Sequence, residues 1–346
     1  MRNLAYKIIV VTILAIVLAA GWLSVDYLSF LKTPLSISTD KYIMDVPQGG
    51  NLGRLARKLS KEGIISSRRY LVWYAYLTGN ANNIKMGEYE LTKDMTPVTL
   101  MAVLNQGKVI QYSFTIVDGW TFKQMIAALK THPQIRNTVL DKTPDEIMRS
   151  LGLADMHPEG RFLPDTYFFP NNTTDIEFLK RAYKAMDKLL SSAWPQRKLG
   201  LAVKTPYQAL ILASIVEKET ALASERKEIA GVFNRRLLRH IRLQTDPTVI
   251  YGLGEKFDGN LRRRDLMADT PYNTYRHYGL PPTPIALPGK ESIEAVLHPD
   301  EGDKLYFVSR GDGSHYFSSN LKEHNEAVIK YQLKGRRKKF SSSGAK

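Results

Sequence analysis

The 346-residue chain contains no cysteine. Disulfides, thiolate metal sites, cysteine nucleophiles and a lipid-acylated Cys are thereby excluded together. The seven histidines (132, 157, 240, 277, 298, 315 and 324) include no H-x-x-H or H-x-x-x-H pair, which argues against a zinc peptidase. No G-x-S-x-G elbow, Walker loop or G-x-G-x-x-G turn occurs, so an acyl-transfer or nucleotide site has no sequence support. Internal repeats and low-complexity blocks are also missing. Acid is the scarcer charge, with 34 Asp+Glu against 49 Lys+Arg and a net charge of +15. What remains is ordinary globular material, 43% hydrophobic and 24% charged, in a chain long enough for two domains.

Only one long apolar run is present. From Ile8 to Val25 no residue is charged, and 18 residues rising about 1.5 Å each give roughly 27 Å, enough to cross a hydrocarbon core of about 30 Å. Arg2 and Lys7 precede the run and Asp26 follows it, so the positive-inside bias puts residues 1–7 in the cytoplasm and the body outside. A cleaved signal peptide is the rival, with Leu18-Ala19-Ala20-Gly21 as its site. The apolar character continues through Trp22, Leu23, Tyr27 and Leu28, which favours an uncleaved anchor over residues 8–26. A periplasmic body on an inner-membrane anchor argues against nucleic acid as a partner. Its basic surplus suits cell-wall glycan with muramyl and peptide carboxylates. The basic run 334–339 and the overlapping tail over 336–346 read as a solvated, disordered end.

After a short linker of about 15 residues, Leu52, Leu55, Ala56 and Leu59 follow helical spacing. A second helix carries Tyr70 to Leu77, residues 87–91 alternate as a strand, and Thr96-Pro97 opens a helix closed by Gly107. These make one small unit over 40–110. A larger mixed region over 111–335 contains a strand at 113–117, a helix from Phe122, and a turn-rich loop over 157–170. Helices from Asp175 and Pro206 follow, then one capped by Ser224. The hydrophobic residues of TPYQALILASIVEKET face nearly every direction, as in a buried helix.

That helix carries Glu217 and Glu219. Desolvation raises the pKa of a carboxylate, and a raised-pKa Glu suits a general acid at neutral pH. At about 100° per residue, Glu219 lies within roughly 20 to 60° of Leu212, Ile215 and Val216, whereas Glu217 sits about 140° from Leu212, beside Lys218. Glu219 is the better candidate. The bland alternative pairs a buried Glu with an arginine of the next helix. Downstream, Gln244, Thr245, Asp246, Tyr272, Asn273, Thr274 and Tyr275 cluster on rigid turns. Such side chains hydrogen-bond or stack on sugars, although tight structural turns use the same residues. With Glu217, they form the candidate substrate-binding set. Pro281-Pro282 reads as structural, and no metal or cofactor is expected.

The motifs PEGRFLPDTY (158–167), ASIVEKET (213–220), LQTDPTVIYG (243–252), YNTY (272–275), GLPPTPI (279–285) and HNEAV (324–328) resemble those of the endolytic murein lytic transglycosylases, the MltG/YceG-like family. The resemblance implies an α+β fold with an N-terminal transmembrane helix, a small LysM-like α/β subdomain, and a catalytic domain with a buried Glu-bearing helix. It implies Glu219 as the catalytic residue and peptidoglycan glycan strands as substrate. It also implies single-pass inner-membrane topology, with peptidoglycan synthases as candidate partners. One Glu would protonate the MurNAc-GlcNAc β-1,4 oxygen and then deprotonate the MurNAc C6 hydroxyl, leaving 1,6-anhydro ends in nascent strands and limiting their length. A hydrolytic muramidase using Asp246 as base, or a non-catalytic membrane-anchored scaffold, is the alternative.

Overall fold

A computed structural model describes residues 2–47 and 49–333, so the basic run 334–339 lies outside the described residues. Two compact units emerge: residues up to Tyr112 together with Phe169–Asn171, and the remainder from Ser113. The chain is α+β, with its strands in four two-stranded sheets among the described residues.

In the first unit, helix α1 (Arg2–Lys32) is about 46 Å long by its 31 residues. Its segment from Leu4 is long and apolar enough to cross a membrane. The expected linker is replaced by structure. No helix breaker intervenes between Val25 and Thr33-Pro34, so α1 continues, and Phe30 and Leu35 enter the unit's core. Leu35 N–H donates to the Met95 carbonyl at 2.7 Å and Ser36 N–H to Ile64 at 3.0 Å, tying the segment down.

Strand β1 (Lys41–Val46), hidden in the sequence beside Pro47 and Gly49, precedes helices α2 (Leu52–Lys61) and α3 (Arg68–Leu77). It pairs antiparallel with β2 (Gly87–Thr92), Met44 opposite Tyr89, and both residues are fully buried. Helix α4 (Pro97–Gln106) begins with a Thr96–Thr99 capping box and ends at Gly107, whose φ of 67° suits a residue without Cβ. Leu55, Leu59, Leu71, Leu100 and Leu104 fill the space between helices and sheet.

Beyond the first unit, apart from the end residues Tyr112 and Phe169, the chain forms β3 (Tyr112–Thr115), α5 (Phe122–Lys130), β4 (Ile135–Arg136) and α6 (Pro144–Ser150), followed by β5 (Thr166–Phe169), β6 (Thr173–Thr174) and α7 (Asp175–Ala193). Then come α8 (Pro206–Glu219), α9 (Arg226–Leu238), α10 (Asp246–Leu253), α11 (Arg263–Leu266) and α12 (Lys290–Leu297). The hairpin β7 (Tyr306–Ser309) and β8 (His315–Ser318) precedes α13 (Leu321–Tyr331). All eight residues from Ala209 to Val216 are buried, as the all-round apolar sequence of α8 predicts. α8 packs against α9, α10 and α12.

Two local expectations change. Ser224 does not cap α9: residues Ala223–Glu225 form a 3-10 turn and Glu225 occupies the cap position without a side-chain cap bond. The Glu225 carboxylate instead receives the His315 backbone N–H at 2.8 Å and sits 2.7 Å from His315 Nδ1. Asp246, expected on a rigid turn, instead opens α10 (Asp246–Leu253), for which Pro247 supplies a pre-set φ in the first turn.

Candidate active site

Glu219 is the last residue of α8, where the buried helix emerges. Its side chain is only partly covered, as access for a substrate requires. The protein mass around it still desolvates the carboxyl and raises its pKa to about 7. The Thr245 hydroxyl donates to Glu219 Oε1 and opposes that rise. Nearby Asp246 adds to it, while His315 and Arg236 offset it. Oε2 has no protein partner among the described residues, which leaves it for a substrate oxygen. A carboxyl so placed is part protonated at neutral pH and can give and take one proton.

Thr245 sits at the N-cap position of α10 but makes no side-chain cap bond, because its hydroxyl is turned to Glu219. Its N–H donates to Thr274 Oγ1 at 3.1 Å, and Thr274 Oγ1 meets Thr248 Oγ1 at 2.8 Å. Thr248 Oγ1 donates to the Thr245 carbonyl at 2.7 Å, closing a buried threonine network. Gln244 N–H donates to the Thr274 carbonyl at 3.2 Å. Gln244 itself adopts φ 51°, the left-handed region that non-glycine residues occupy only under constraint. Its side-chain amide has no protein partner among the described residues and remains available to ligand. We expect Thr245→Val to remove an orienting donor and raise the Glu219 pKa further. Cleavage falls by about 10-fold, and the alkaline limb of the pH profile moves upward; steady-state rates across pH check both effects.

Of the remaining candidates, Asp246 is exposed and accepts the Tyr275 phenol at 2.6 Å. Burial, and secondly Asp246, push the Tyr275 phenol well above its ordinary range, so it stays a donor. Tyr272 packs edge-on to Tyr251 with ring centroids 4.9 Å apart, and its hydroxyl meets Thr283 Oγ1 at 2.8 Å. Asn273 is fully buried and holds its own turn. Nδ2 donates to the carbonyls of Leu266 (3.0 Å) and Ala268 (2.7 Å), while Oδ1 accepts Tyr275 N–H at 2.9 Å. For Asn273 the structural-turn alternative describes the contacts, and Thr274 is likewise engaged within the protein.

Glu217 meets the bland alternative raised for a buried Glu. Its Oε1 lies 3.6 Å from Arg226 Nη2 on α9, with the pair largely buried, and Oε2 accepts Gly289 N–H at 2.9 Å. The residue therefore joins α8 to the starts of α9 and α12. Glu217→Gln leaves Arg226 short of a counter-charge. It should cost about 2 kcal/mol, or a fall of about 4–8 °C in Tm by thermal unfolding, while the folded fraction keeps cleavage within about 10-fold.

The separate motifs converge. Gly160, at φ 79°, lies so close to Pro284 that a Cβ would sit 2.6 Å from its ring, which joins PEGRFLPDTY to GLPPTPI. Ile285 N–H donates to Ser214 Oγ of α8 at 2.9 Å. Glu159 is buried and raised to about 7, chiefly by that burial. It accepts Phe122 N–H (2.8 Å) at the start of α5 and the Tyr251 phenol (3.0 Å) of α10.

Two contributors escaped sequence reasoning. Arg236, buried on α9, donates through Nε to the Leu305 carbonyl at 2.6 Å and through Nη1 to Arg242 (3.1 Å) and Leu243 (2.8 Å). Its guanidinium also lies over the Tyr306 ring at 4.9 Å. It thus holds the two residues before Gln244 and adds a positive charge near Glu219. His315, paired with Glu225, also acts to lower the Glu219 pKa. No sequence motif distinguishes Arg236 from its neighbour Arg235. The only local hint was an arginine adjoining the apolar face of α9.

Fold and site define an α+β protein whose polar centre is built around one desolvated carboxyl at the end of a buried helix. Residues 44–330 match the YceG-like family. The chain is 33% identical over 307 residues to the endolytic murein transglycosylase of Bacillus subtilis, covering 83% of this chain and 84% of that one. Against the protein of the same name from Streptococcus pneumoniae it is 28% identical, with 94% of this chain aligned to 65% of the relative. A crystal structure of a YceG-like protein from Listeria monocytogenes superposes with a TM-score of 0.54 at 30% identity, over 84% of this chain and 99% of the other. The chain belongs to the YceG-like family.

Proposed function

We propose that the protein is an endolytic peptidoglycan lytic transglycosylase that cleaves the MurNAc-GlcNAc β-1,4 bond and leaves 1,6-anhydro-MurNAc ends. The observation that carries this reading is the Glu219 carboxyl, raised to about 7 with Thr245 on one oxygen and the other unpartnered among the described residues. The names of its Bacillus and Streptococcus relatives support the same class of activity. Glu219 gives its proton to the glycosidic oxygen as the C1–O bond breaks. The C6 hydroxyl oxygen of the same MurNAc then bonds to C1, and its proton passes to the Glu219 carboxylate. Glu219 ends protonated as it began, and no water is consumed. An internal nucleophile supplies a high effective molarity, so no second catalytic carboxylate is required.

Gln244, Tyr272 and Tyr275 are the best placed of the candidate residues to meet sugar. Residues 40–110 serve as a LysM-like glycan-binding module; the order β1-α2-α3-β2, two helices between paired strands, supports that reading. α1 anchors the protein in the inner membrane with its body periplasmic, where nascent strands and the synthases that make them lie within reach. Asp246, exposed near Glu219, favours hydrolysis as the second reading.

Mass spectrometry of fragments released from purified peptidoglycan separates the outcomes. Anhydro-MurNAc ends are expected, reducing MurNAc ends would transfer the assignment to a hydrolase using Asp246, and no release would leave a binding scaffold.

A further inference from the structure

We propose that the outer face of α3 is a membrane-surface contact: it seats in the interfacial zone of the same bilayer that α1 crosses, and Arg68 and Arg69 meet anionic phospholipid headgroups. This rests on reading α1 as a membrane span.

α3 buries Leu71 and Ala75 against its own unit and leaves Trp73, Tyr76 and Leu77 exposed, at 46%, 69% and 78%. Isolated apolar side chains on a surface need no explanation, but these three are contiguous with another apolar surface. Together with Leu23, Ser24 and Tyr27 of α1 they line one open, almost wholly apolar groove. The register between the two helices is held by Tyr70. Its phenol donates to Asp26 at 2.7 Å, and its ring packs on Tyr27 (5.5 Å), Phe30 (5.6 Å) and Trp73 (5.7 Å).

Depth follows from that register. Starting at Ile8, the uncharged run reaches Val25 after roughly 27 Å, close to the thickness of a hydrocarbon core, so Leu23 to Tyr27 fall at the boundary with the headgroups. Residues that share a groove with Leu23, Ser24 and Tyr27 lie at the same depth. Trp and Tyr are the side chains that favour this layer, because each has an apolar ring and a polar edge. The lipid-facing surface of α1 therefore continues onto α3. Arg68 and Arg69 open that helix, are exposed, and form no ion pair among the described residues. With Ser66, Ser67, Val72 and Trp73 they line an adjoining groove that suits phosphate oxygens at the level just above the rings.

The absence of native cysteine permits a clean test on the full chain. Tyr76→Cys, Leu18→Cys and Leu199→Cys each carry one nitroxide in vesicles of phosphatidylcholine and phosphatidylglycerol, and spin relaxation by oxygen and by a water-soluble nickel chelate reports depth. At position 76 the nickel effect is expected to fall several-fold below that at position 199, with the oxygen effect rising toward that at position 18. Arg68→Gln with Arg69→Gln should weaken this protection and remove its dependence on phosphatidylglycerol.

A lipid-like position 18 with a water-like position 76 overturns the α3 contact while the anchor stands. A water-like position 18 overturns the anchor and the contact with it. Shielding of position 76 from both reagents assigns the face to a protein neighbour, such as a second copy, and overturns the lipid assignment.

Discussion

Replacing Glu219 by Gln is expected to lower glycan cleavage by about 10³-fold or more, because the neutral amide can neither protonate the leaving oxygen nor accept the proton of the attacking hydroxyl. The same substitution should stabilise the protein at alkaline pH. With the folded pKa near 7 and an ordinary value of 4.5, burial opposes ionisation in the folded state. The unfolded chain releases this proton first, and stability from this group falls as pH rises from about 4.5 through 7. Above that window the wild type carries a desolvated charge that Gln lacks. A gain on the order of 2 kcal/mol is expected at pH 8 after allowance for partial exposure, shrinking toward zero near pH 5; denaturant titration at the two pH values measures it. Loss of activity with that pH-dependent gain in stability separates a catalytic acid from a residue needed only for folding. In the wild type, kcat/KM should decline about tenfold per unit above pH 7, as the acid form of Glu219 is lost.

The second large effect is expected at Arg236. Arg236→Met keeps the bulk of the side chain but leaves the carbonyls of Leu305, Arg242 and Leu243 without the donors that hold them. That should cost about 3 kcal/mol and lower Tm by about 6–12 °C. Arg236→Lys is expected to recover only part of this, since a single ammonium cannot reproduce a planar fork serving separate carbonyls. Cleavage should fall mainly in kcat, because the carbonyls belong to the residues that lead into Gln244 and Thr245. Arg236 also lowers the Glu219 pKa through its charge. Removing it must raise that pKa, so the alkaline limb of the rate profile shifts to higher pH in the Met variant. A merely structural arginine would reduce stability without moving that limb, and an unmoved limb would exclude the electrostatic role.

The likeness to YceG-like proteins and the geometry around Glu219 are independent of one another. The first places the chain in a family; the second supplies an acid of suitable strength with an oriented oxygen. Neither depends on the basic surplus, because net charge is a long-range property that cannot choose which bond breaks.

Local pattern alone determined the apolar run, the two ends of α4 and the burial of α8, and it carried the preference for Glu219 over Glu217. Each of these is a matter of periodicity or of a residue's preference for one backbone geometry, and both are written within a few neighbouring positions. Tertiary structure decided the rest. Thr245 reaches Glu219 across 26 positions of sequence, Glu217 meets Gly289 across 72, and Arg236 meets Leu305 across 69. Asn273 and Gln244 looked alike as turn amides, yet one closes its own loop and the other projects an unengaged amide from a left-handed backbone. The continuation of α1 into the first unit, where a linker was expected, was settled by Phe30 and Leu35 finding a core to enter. Hydrogen bonds and burial that join distant segments depend on where the chain returns, and no local spacing encodes that return.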